Sequence, residues 1–267
     1  MNLLNWFNGQ PKTFDVSSVK YKKPVDEQIV SKLIDYIQLS YKECSKLGLH
    51  TMVVGVDGTI NSLVIAILLK KALNDQVMAV APDFATDARN TLLALCKEYS
   101  SSTFILELEK EYQDEEKAFQ IRKTISHRNF YYRFTTFHLL TLAENMDAAV
   151  VDAIDKSDRL TGIRPAGFYG HLMPFYSLYK SEIYDLAKFL RIPDQDIFPA
   201  KIDDIPYPGN TTLSYNQTDP VLYLLTEKHL KPEEISQQYN IDVHWLRKMR
   251  NRINKQLFQT TVSQFII

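Results

Sequence analysis

The chain has 267 residues, 45% of them hydrophobic, and a formal net charge of −1 at pH 7. This supplies enough apolar side chains for a core, and the small net charge excludes a global field that would recruit nucleic acid or an anionic membrane. No apolar run approaches the roughly 18–20 residues that span a bilayer, and residues 1–6 lack the basic start of a signal peptide. We therefore expect a cytoplasmic protein with no nucleic-acid or membrane partner. Cys44 and Cys96 have no metal-type spacing, and two free thiols are favoured over a disulfide.

The first two thirds of the chain predict alternating strands and helices. Residues 1–24 are expected to form an irregular arm. The predicted elements that follow are a helix over 26–47, a strand over 50–56, an amphipathic helix over 60–73, a strand over 76–81, a helix over 87–100, a strand over 103–107, a charged stretch over 109–118, a helix over 128–144 and a strand over 148–152. Repeated strand–helix units predict an α/β fold with a parallel sheet and helices on both faces.

The remainder of the chain predicts two long loops and several helices. Residues 162–173 and 193–218 are rich in Gly or Pro and are expected to be loops, which in compact domains are often functional. The predicted helices cover 179–190, 219–228, 232–239 and 242–257. The expected organisation is one domain over 1–267, with an α/β core at 25–215 and C-terminal helices at 216–267.

Three polar turns follow predicted strands: residues 57–62, Asp83-Phe84 and residues 152–158. Ligands of open α/β sheets bind at the carboxyl ends of the strands, so we expect these turns to face one cleft. A helix N-terminus presents free N–H groups to anions, so the first turn, which precedes a predicted helix, is a candidate phosphate loop. Its glycine and serine stand where such a loop would need them. It also has Asp57, an anion where a phosphate would bind.

Short motifs accompany these elements along most of the chain. They are Gly58 and Ser62, Pro82 with Asp87-Ala88, Asn129 with Arg133, Lys156-Ser157 with Asp158, Tyr169-Gly170, Pro174 with Leu178 and Lys180, Gln217-Thr218-Asp219, and Lys255. In order and spacing, this series resembles the ammonia-dependent NAD synthetases, members of the adenine-nucleotide alpha-hydrolase-like group of ATP pyrophosphatases. The resemblance covers about residues 25 to 255.

The resemblance implies a Rossmann-like sheet and a defined reaction. ATP adenylates the carboxylate of nicotinic acid adenine dinucleotide, and ammonia then displaces AMP to give NAD. Magnesium neutralises the phosphates. A homodimer is also implied, with an interface that involves the helix near 129–145 and borders the dinucleotide site.

The resemblance further assigns roles to residues of this chain. Lys156 and Asp158 would be catalytic, with Asp158 as a candidate magnesium ligand. The pyrophosphate loop would consist of Asp57, Gly58, Thr59, Asn61 and Ser62. The dinucleotide would contact Asn129, Arg133, His171 and Lys255.

Five positions depart from the family pattern in ways that disfavour ATP and magnesium. They are Asp57 for Ser, Thr59 for Gly, Asn61 for Asp, Thr135 for Arg and His171 for Asp. Asp57 places a negative charge beside the pyrophosphate, a repulsion on the order of a few kcal/mol. Thr59 adds a branched side chain where bare backbone is needed and disfavours a positive φ. Asn61 removes a carboxylate suited to magnesium.

Each feature also has a simpler interpretation. Asp57 before a helix is a good N-cap residue in an ordinary turn, and a single Lys156 is more typical of a solvated surface. Asn129 and Arg133, four residues apart, would form a polar stripe on one helix face. The aromatic residues Phe130, Tyr131, Tyr132, Phe134 and Phe137 would then be core or dimer packing.

Three functions therefore remain open. The first is a working NAD synthetase, or a close amide-forming ligase, with an altered loop. The second is a non-catalytic dinucleotide-binding or regulatory relative. The third is a cleft repurposed for another ligand, with Asp57 and His171 as new polar groups. The altered loop favours the second and third functions over the first.

Overall fold

The computed structural model describes residues 14–84, 89–100, 102–197, 207–208 and 213–260. The motif residues Asp87 and Ala88 lie outside this part of the chain. In chain order the elements are α1 (Glu27–Lys46), β1 (Thr51–Gly55), α2 (Ile60–Leu73), β2 (Val77–Asp83), α3 (Arg89–Tyr99), β3 (Ser102–Glu107), α4 (Glu109–Ala118), α5 (Thr124–Glu144), β4 (Ala148–Val151), α6 (Lys156–Thr161), α7 (Lys180–Phe189), α8 (Tyr215–Thr226), α9 (Pro232–Tyr239) and α10 (Val243–Thr260).

The four strands form one parallel sheet in the order β3-β2-β1-β4. Successive side chains of a strand point to opposite faces, and both faces of β1 are covered by helices. Val54 belongs to a core shared with α1, α2, α3 and α7, whereas Val53 packs with Leu139 and Ala143 of α5. The predicted α/β class, with a parallel sheet and helices on both faces, is confirmed.

The helix after β1 differs from the expectation of an amphipathic helix. Ten of the fourteen residues of α2 are buried, including every residue from Ile60 to Ala66. Its neighbours are α1, α3 and α7, which pack against it in addition to β1 and β2. A helix that is apolar on nearly all sides belongs in a core, so α2 holds the turn before it rigidly against β1.

The C-terminal helices have a hydrophobic core of their own. Trp245, Leu246 and Met249 of α10 pack with Leu222 of α8 and Ile235 of α9. Leu160 of α6 and Tyr179 also join this cluster, which ties it to the end of the sheet where α6 begins. The expected C-terminal helices are therefore present, while the domain bounds stay a prediction.

Several predicted elements need correction. The charged stretch 109–118 is helix α4, which has no buried residue and so lacks the apolar periodicity that reveals a helix. Helix α5 begins at Thr124 rather than Arg128. Helix α8 begins at Tyr215, inside the predicted loop 193–218, because Ser214 and Gln217 form a capping box.

Two findings concern expectations from composition. Both cysteines are free, Cys96 buried and Cys44 half-buried. Among the helices of the described residues, none is both long and apolar enough to cross a membrane.

Candidate functional site

A cleft opens at the carboxyl ends of the strands, where the sequence predicted it. Asp57, Thr59, Asn61 and Ser62 line it beyond β1, Pro82 at the end of β2, and Asp152 and Asp158 beyond β4. Across from them lie Tyr131, Tyr132 and Thr135 of α5, with Arg164, Lys180, Tyr184 and Tyr215. The enclosed volume is about 100 Å³, below the roughly 300–1,000 Å³ typical of small-molecule pockets.

The turn after β1 binds its own carboxylate. Oδ1 of Asp57 accepts hydrogen bonds from the Thr59 backbone N–H (3.0 Å) and from Thr59 Oγ1 (2.6 Å). Ser62 Oγ donates to the Thr59 carbonyl at 2.8 Å. Backbone N–H groups of such turns are what a phosphate loop presents to an anion. Here the Thr59 N–H is already held by an anion from the same turn.

The backbone of this turn is not strained by Thr59, contrary to the expectation from the sequence. The positive φ falls on Gly58 (+80°), where glycine adopts it readily. Thr59 has φ −67° and ψ 152°, an ordinary N-cap conformation for α2. The N-cap residue is thus Thr59 rather than Asp57. The conflict in the turn is one of charge, not of backbone conformation.

Lys180 at the start of α7 lies among three oxygens of the cleft. Its ammonium group is 2.9 Å from Asn61 Oδ1, 2.7 Å from Asp155 Oδ2 and 2.7 Å from Asp158 Oδ2. Asn61 also donates through Nδ2 to Asp155 Oδ2 at 2.8 Å. Helices α2, α6 and α7 are therefore joined by one buried polar cluster.

The pKa values of Lys180 and Asp158 depend on the charges beside them. Burial alone would lower the pKa of Lys180, but Asp155 and Asp158 raise it above its ordinary value, so the ammonium stays charged. Burial and the neighbouring Asp155 raise the pKa of Asp158 to about 6, against the opposing effect of Lys180. Without Lys180, two adjacent buried carboxylates would lack a cation to balance their charge, which would destabilise the fold.

Helix α6 places these groups through its N-terminus. Asp155 is its N-cap residue, and Oδ1 accepts from the Asp158 backbone N–H at 2.8 Å. Ser157 Oγ donates to Asp219 Oδ1 (2.7 Å) and accepts from the Lys180 backbone N–H (2.9 Å). The other oxygen of Asp219 accepts from the Ser181 N–H. The buried Asp219 thus fixes the start of α7 against α6.

A second ion pair closes the cleft beside β4. Asp152 Oδ1 accepts from Arg164 at 2.9 Å, and Oδ2 accepts from the Gly170 N–H at 3.1 Å. Gly170 comes so close to β4 that a Cβ there would stand 2.9 Å from the Val150 carbonyl oxygen. The Arg164 guanidinium lies 4.5 Å from the centroid of the Tyr132 ring. The loop 162–173 is therefore anchored at the cleft by Asp152.

Magnesium does not fit the residues as they are arranged. Beside Lys180 the hard-cation ligands are the oxygens of Asn61, Asp155 and Asp158, and one oxygen of each contacts its ammonium group. Within the described ranges no group of three His, Cys, Asp or Glu side chains is placed to hold a metal ion. Asp158 Oδ1 is buried and has no hydrogen-bond partner in that part of the chain.

Two of the predicted site residues have contacts elsewhere. Lys156 pairs with Glu227 at 2.6 Å and lies 4.6 Å from the centroid of the Tyr179 ring. The ring of His171 accepts through Nδ1 from the Val150 N–H at 2.9 Å, which satisfies the open edge of β4. His171 is therefore not among the lining residues, and four of the five departures, rather than all five, meet in the cleft.

The residues of α5 and α10 that were expected to contact a dinucleotide are Arg133, Asn129 and Lys255. Arg133 is exposed and donates to the Ala166 carbonyl at 3.4 Å. Asn129 is half-buried, and its Oδ1 has no partner among the described residues. Lys255 lies on the exposed side of α10. Of the predicted loop and catalytic residues, Asp57, Thr59, Asn61, Ser62 and Asp158 do line the cleft, and Gly58 is buried in the turn between them.

Four residues that shape the cleft received no individual role from the sequence: Asp152, Asp155, Arg164 and Lys180. Asp152 and Asp155 lie in the predicted turn 152–158 and Lys180 in the Pro174–Lys180 motif, but their charges could not be paired without the fold. Arg164 had no motif at all. The signal for Lys180 was its place at the end of the Pro174–Lys180 motif.

A parallel sheet with helices on both faces and a polar cleft at its strand ends defines a doubly wound α/β protein of the nucleotide-binding type. A sequence model described as NAD synthase matches residues 29–263, and the chain belongs to this family.

Individual relatives agree with this assignment, and solved structures agree with the fold. The NH3-dependent NAD+ synthetase of Wolinella succinogenes is 29% identical over 225 residues, which cover 78% of this chain and 83% of that protein. The structure of the NH3-dependent NAD synthetase of Campylobacter jejuni, in complex with nitrate, has a TM-score of 0.72 at 23% identity and covers 91% of this chain and 100% of that one. A glutamine-dependent NAD+ synthetase of Acinetobacter baumannii in complex with ADP has a TM-score of 0.59 at 17% identity, over 95% of this chain and 50% of that one.

Proposed function

We propose that this chain is a non-catalytic relative of the NAD synthetases, which keeps their fold and a nucleotide-type cleft but has lost the ATP-dependent step. The observation that carries the proposal is the hydrogen bond from the Thr59 N–H to the Asp57 carboxylate. A pyrophosphate in this turn would have to displace a bound carboxylate and then remain next to it. Two unit charges 4 Å apart repel by about 4 kcal/mol near a protein surface.

Asn61, within the polar cluster around Lys180, supports the same conclusion, because it stands where the family pattern has an aspartate suited to magnesium. Family members are expected to use ATP with magnesium, and the oxygens that would bind the metal here contact an ammonium group. Asp57 would thus oppose the phosphate, and Asn61 would supply one carboxylate fewer to the metal. Either change alone weakens the site, and together they remove both partners that ATP needs.

A nucleotide-type ligand that places its base in the cleft is the best-supported class, since the volume of about 100 Å³ is too small for a whole dinucleotide. Tyr131, Tyr132 and Tyr184 line the cleft, and tyrosine rings offer flat surfaces for a base. The ADP in the Acinetobacter baumannii structure shows what a relative with this fold holds. In this role the chain would be a cytoplasmic binding or regulatory subunit.

The test is the family reaction itself. The purified protein is incubated with ATP, magnesium, nicotinic acid adenine dinucleotide and ammonia, and AMP and NAD are quantified beside the Campylobacter jejuni enzyme. We expect AMP release at least about 100-fold below that enzyme, the scale on which loss of one preorganised electrostatic contact acts. Release of AMP and NAD in equal amounts at a comparable rate would overturn the proposal.

A working synthetase is the second candidate, and specific observations favour it. Gly58, Ser62 and Asp158 stand at the positions of the family motifs, and Asp158 has a buried oxygen with no partner in the described part of the chain. If this candidate holds, calorimetry should detect ATP binding at micromolar concentration in the presence of magnesium. If the non-catalytic proposal is correct, no magnesium-dependent heat of binding is expected at micromolar ATP.

A further inference from the structure

We propose that the cleft takes a flat, positively charged group with N–H donors, such as a protonated base or an amidinium, and rejects an anion. The inference deepens the proposed function and rests on it, since it names the chemical class of the group that the cleft accepts. For a nucleotide-type ligand, it means that a cationic, N–H-bearing edge of the base faces Asp57 and that the phosphates stay outside the cleft.

The charges that line the cleft are unequal in number. Asp57, Asp152 and Asp158 are acidic, whereas the basic lining residues in the described part of the chain are Arg164 and Lys180. Asp152 pairs with Arg164 and Asp158 with Lys180, and no ion pair within the described residues includes Asp57. One carboxylate of the cleft is therefore left without a counter-ion from these residues.

Neither of the two lining cations has an excess of positive charge. Lys180 already lies 2.7 Å from both Asp155 and Asp158. Burial lowers the pKa of Arg164, but neighbouring anions, Asp152 first, raise it above its ordinary value. Charges removed from water are stable only when they are paired, so a ligand with a positive charge improves the balance of the site and an anion worsens it.

Two oxygens at the cleft accept no hydrogen bond from the described residues. Both hydrogen bonds to the Asp57 carboxylate end on Oδ1, at 3.0 and 2.6 Å from the nitrogen and the hydroxyl of Thr59, which leaves Oδ2. Asp158 is 6% exposed, and its buried Oδ1 has no partner in the described ranges. An ionised carboxylate can only accept hydrogen bonds, so both oxygens suit a ligand that donates them.

Aromatic rings of α5 stand close to the Asp57 carboxylate. Tyr131 and Tyr132 line the cleft with it, and burial first, with Asp57 among the neighbouring charges, raises the pKa of both hydroxyls. The face of a tyrosine ring attracts cations, and the Arg164 guanidinium already lies 4.5 Å from the centroid of the Tyr132 ring. Flat rings beside an uncompensated carboxylate are the surroundings in which a flat cation is stabilised.

The test compares three ligands of similar shape and different charge: benzamidine is cationic, benzamide is neutral and benzoate is anionic. Isothermal titration at about pH 8 keeps Asp158 ionised, because burial raises its pKa only to about 6. The wild-type protein should bind benzamidine at least about tenfold more tightly than benzamide, and benzoate most weakly.

Asp57→Asn removes the charge and keeps an oxygen that accepts from Thr59. It should lower the affinity for benzamidine about tenfold and change the affinity for benzamide by no more than about threefold. The matched control is Asp35→Asn on the exposed side of α1, which should leave all three affinities unchanged. Circular dichroism checks that each variant is folded, and Asp57→Ser replaces Asp57→Asn if the latter does not fold.

Three results would overturn the proposed selectivity: a wild-type protein that prefers benzoate, one that binds all three ligands equally, or one that binds none at millimolar concentration. An unchanged preference for benzamidine in a folded Asp57 variant would overturn it too. No ATP enters the experiment. Release of AMP in the family reaction therefore contradicts the proposed function, whereas a wrong order of the three affinities contradicts only the selectivity of the cleft.

Discussion

At the scale of single residues, the charge of the turn after β1 depends on one carboxylate, that of Asp57. Gly58 provides the left-handed conformation that the turn needs, and Thr59 is unstrained at φ −67°. Under the proposed function, Asp57 is therefore the change that would oppose phosphate. Its Oδ1 receives both the N–H and the hydroxyl of Thr59, so it imitates in part what a phosphate oxygen would do there.

This distinction predicts unequal effects from two substitutions in the turn. Asp57→Ser should raise the affinity for ATP by about tenfold or more, since it removes a negative charge and frees the Thr59 N–H. Thr59→Gly alone should leave affinity unchanged, because it relieves no strain. The triple variant with Asn61→Asp should bind at least as tightly as Asp57→Ser. Isothermal titration with ATP and magnesium measures all three. A gain from Thr59→Gly alone, or none from Asp57→Ser, would show that charge is not the cause.

At the scale of elements, Asp219 of α8 joins the N-termini of α6 and α7. Its carboxylate receives Ser157 Oγ and the Ser181 N–H, and it is fully buried. Burial, assisted by the charge of Asp155, raises the pKa of Asp219 from 3.8 to about 7, although these hydrogen bonds favour the ionised form. The junction of three helices thus contains a carboxyl group that titrates near neutrality.

The raised pKa predicts how stability depends on pH. Between pH 3.8 and about 7, the folded protein keeps a proton that the unfolded chain releases. The contribution of Asp219 to stability is therefore full at low pH and is lost as pH rises through about 7, with a slope of up to about 1.4 kcal/mol per pH unit. Urea unfolding from pH 4.5 to 8 measures this for wild type and Asp219→Asn. The variant should lack this slope, and parallel curves would mean that Asp219 does not titrate in this range. Asp158 is present in both proteins, so the comparison isolates Asp219.

Much of the fold was predictable from local pattern, while the pairing of charges was not. The predicted strands agree with β1 to β4 to within two residues at each end, because each is a short run of mainly apolar residues next to a turn. Helix α4 was not predicted from the sequence, because it buries no face. The bond between Lys180 and Asn61 joins residues 119 positions apart, and only the packing of α7 on α2 creates it.

At the scale of the whole molecule, we predict a homodimer that buries exposed apolar residues of α5. Phe137 and Ile125 on α5 are 52% and 48% exposed, and Phe119 between α4 and α5 is 68% exposed. The same helix lines the cleft through Tyr131 and Tyr132. Exposed apolar groups on one helical hairpin are typical of protein–protein contacts, and twofold dimers are the commonest oligomers. A homodimer formed through α5 would therefore border the cleft.

We predict that light scattering after size exclusion will give twice the chain mass of 30.9 kDa for the wild type. Phe137→Glu should shift the protein to the monomer, because it removes an aromatic ring whose burial is worth roughly 1.5–3 kcal/mol and places a charge in the interface. The matched control is Leu39→Glu on α1, which is 61% exposed and should leave the dimer intact. A wild-type monomer at micromolar concentration would refute the interface. Equal dissociation by both substitutions would show that α5 has no special part in it.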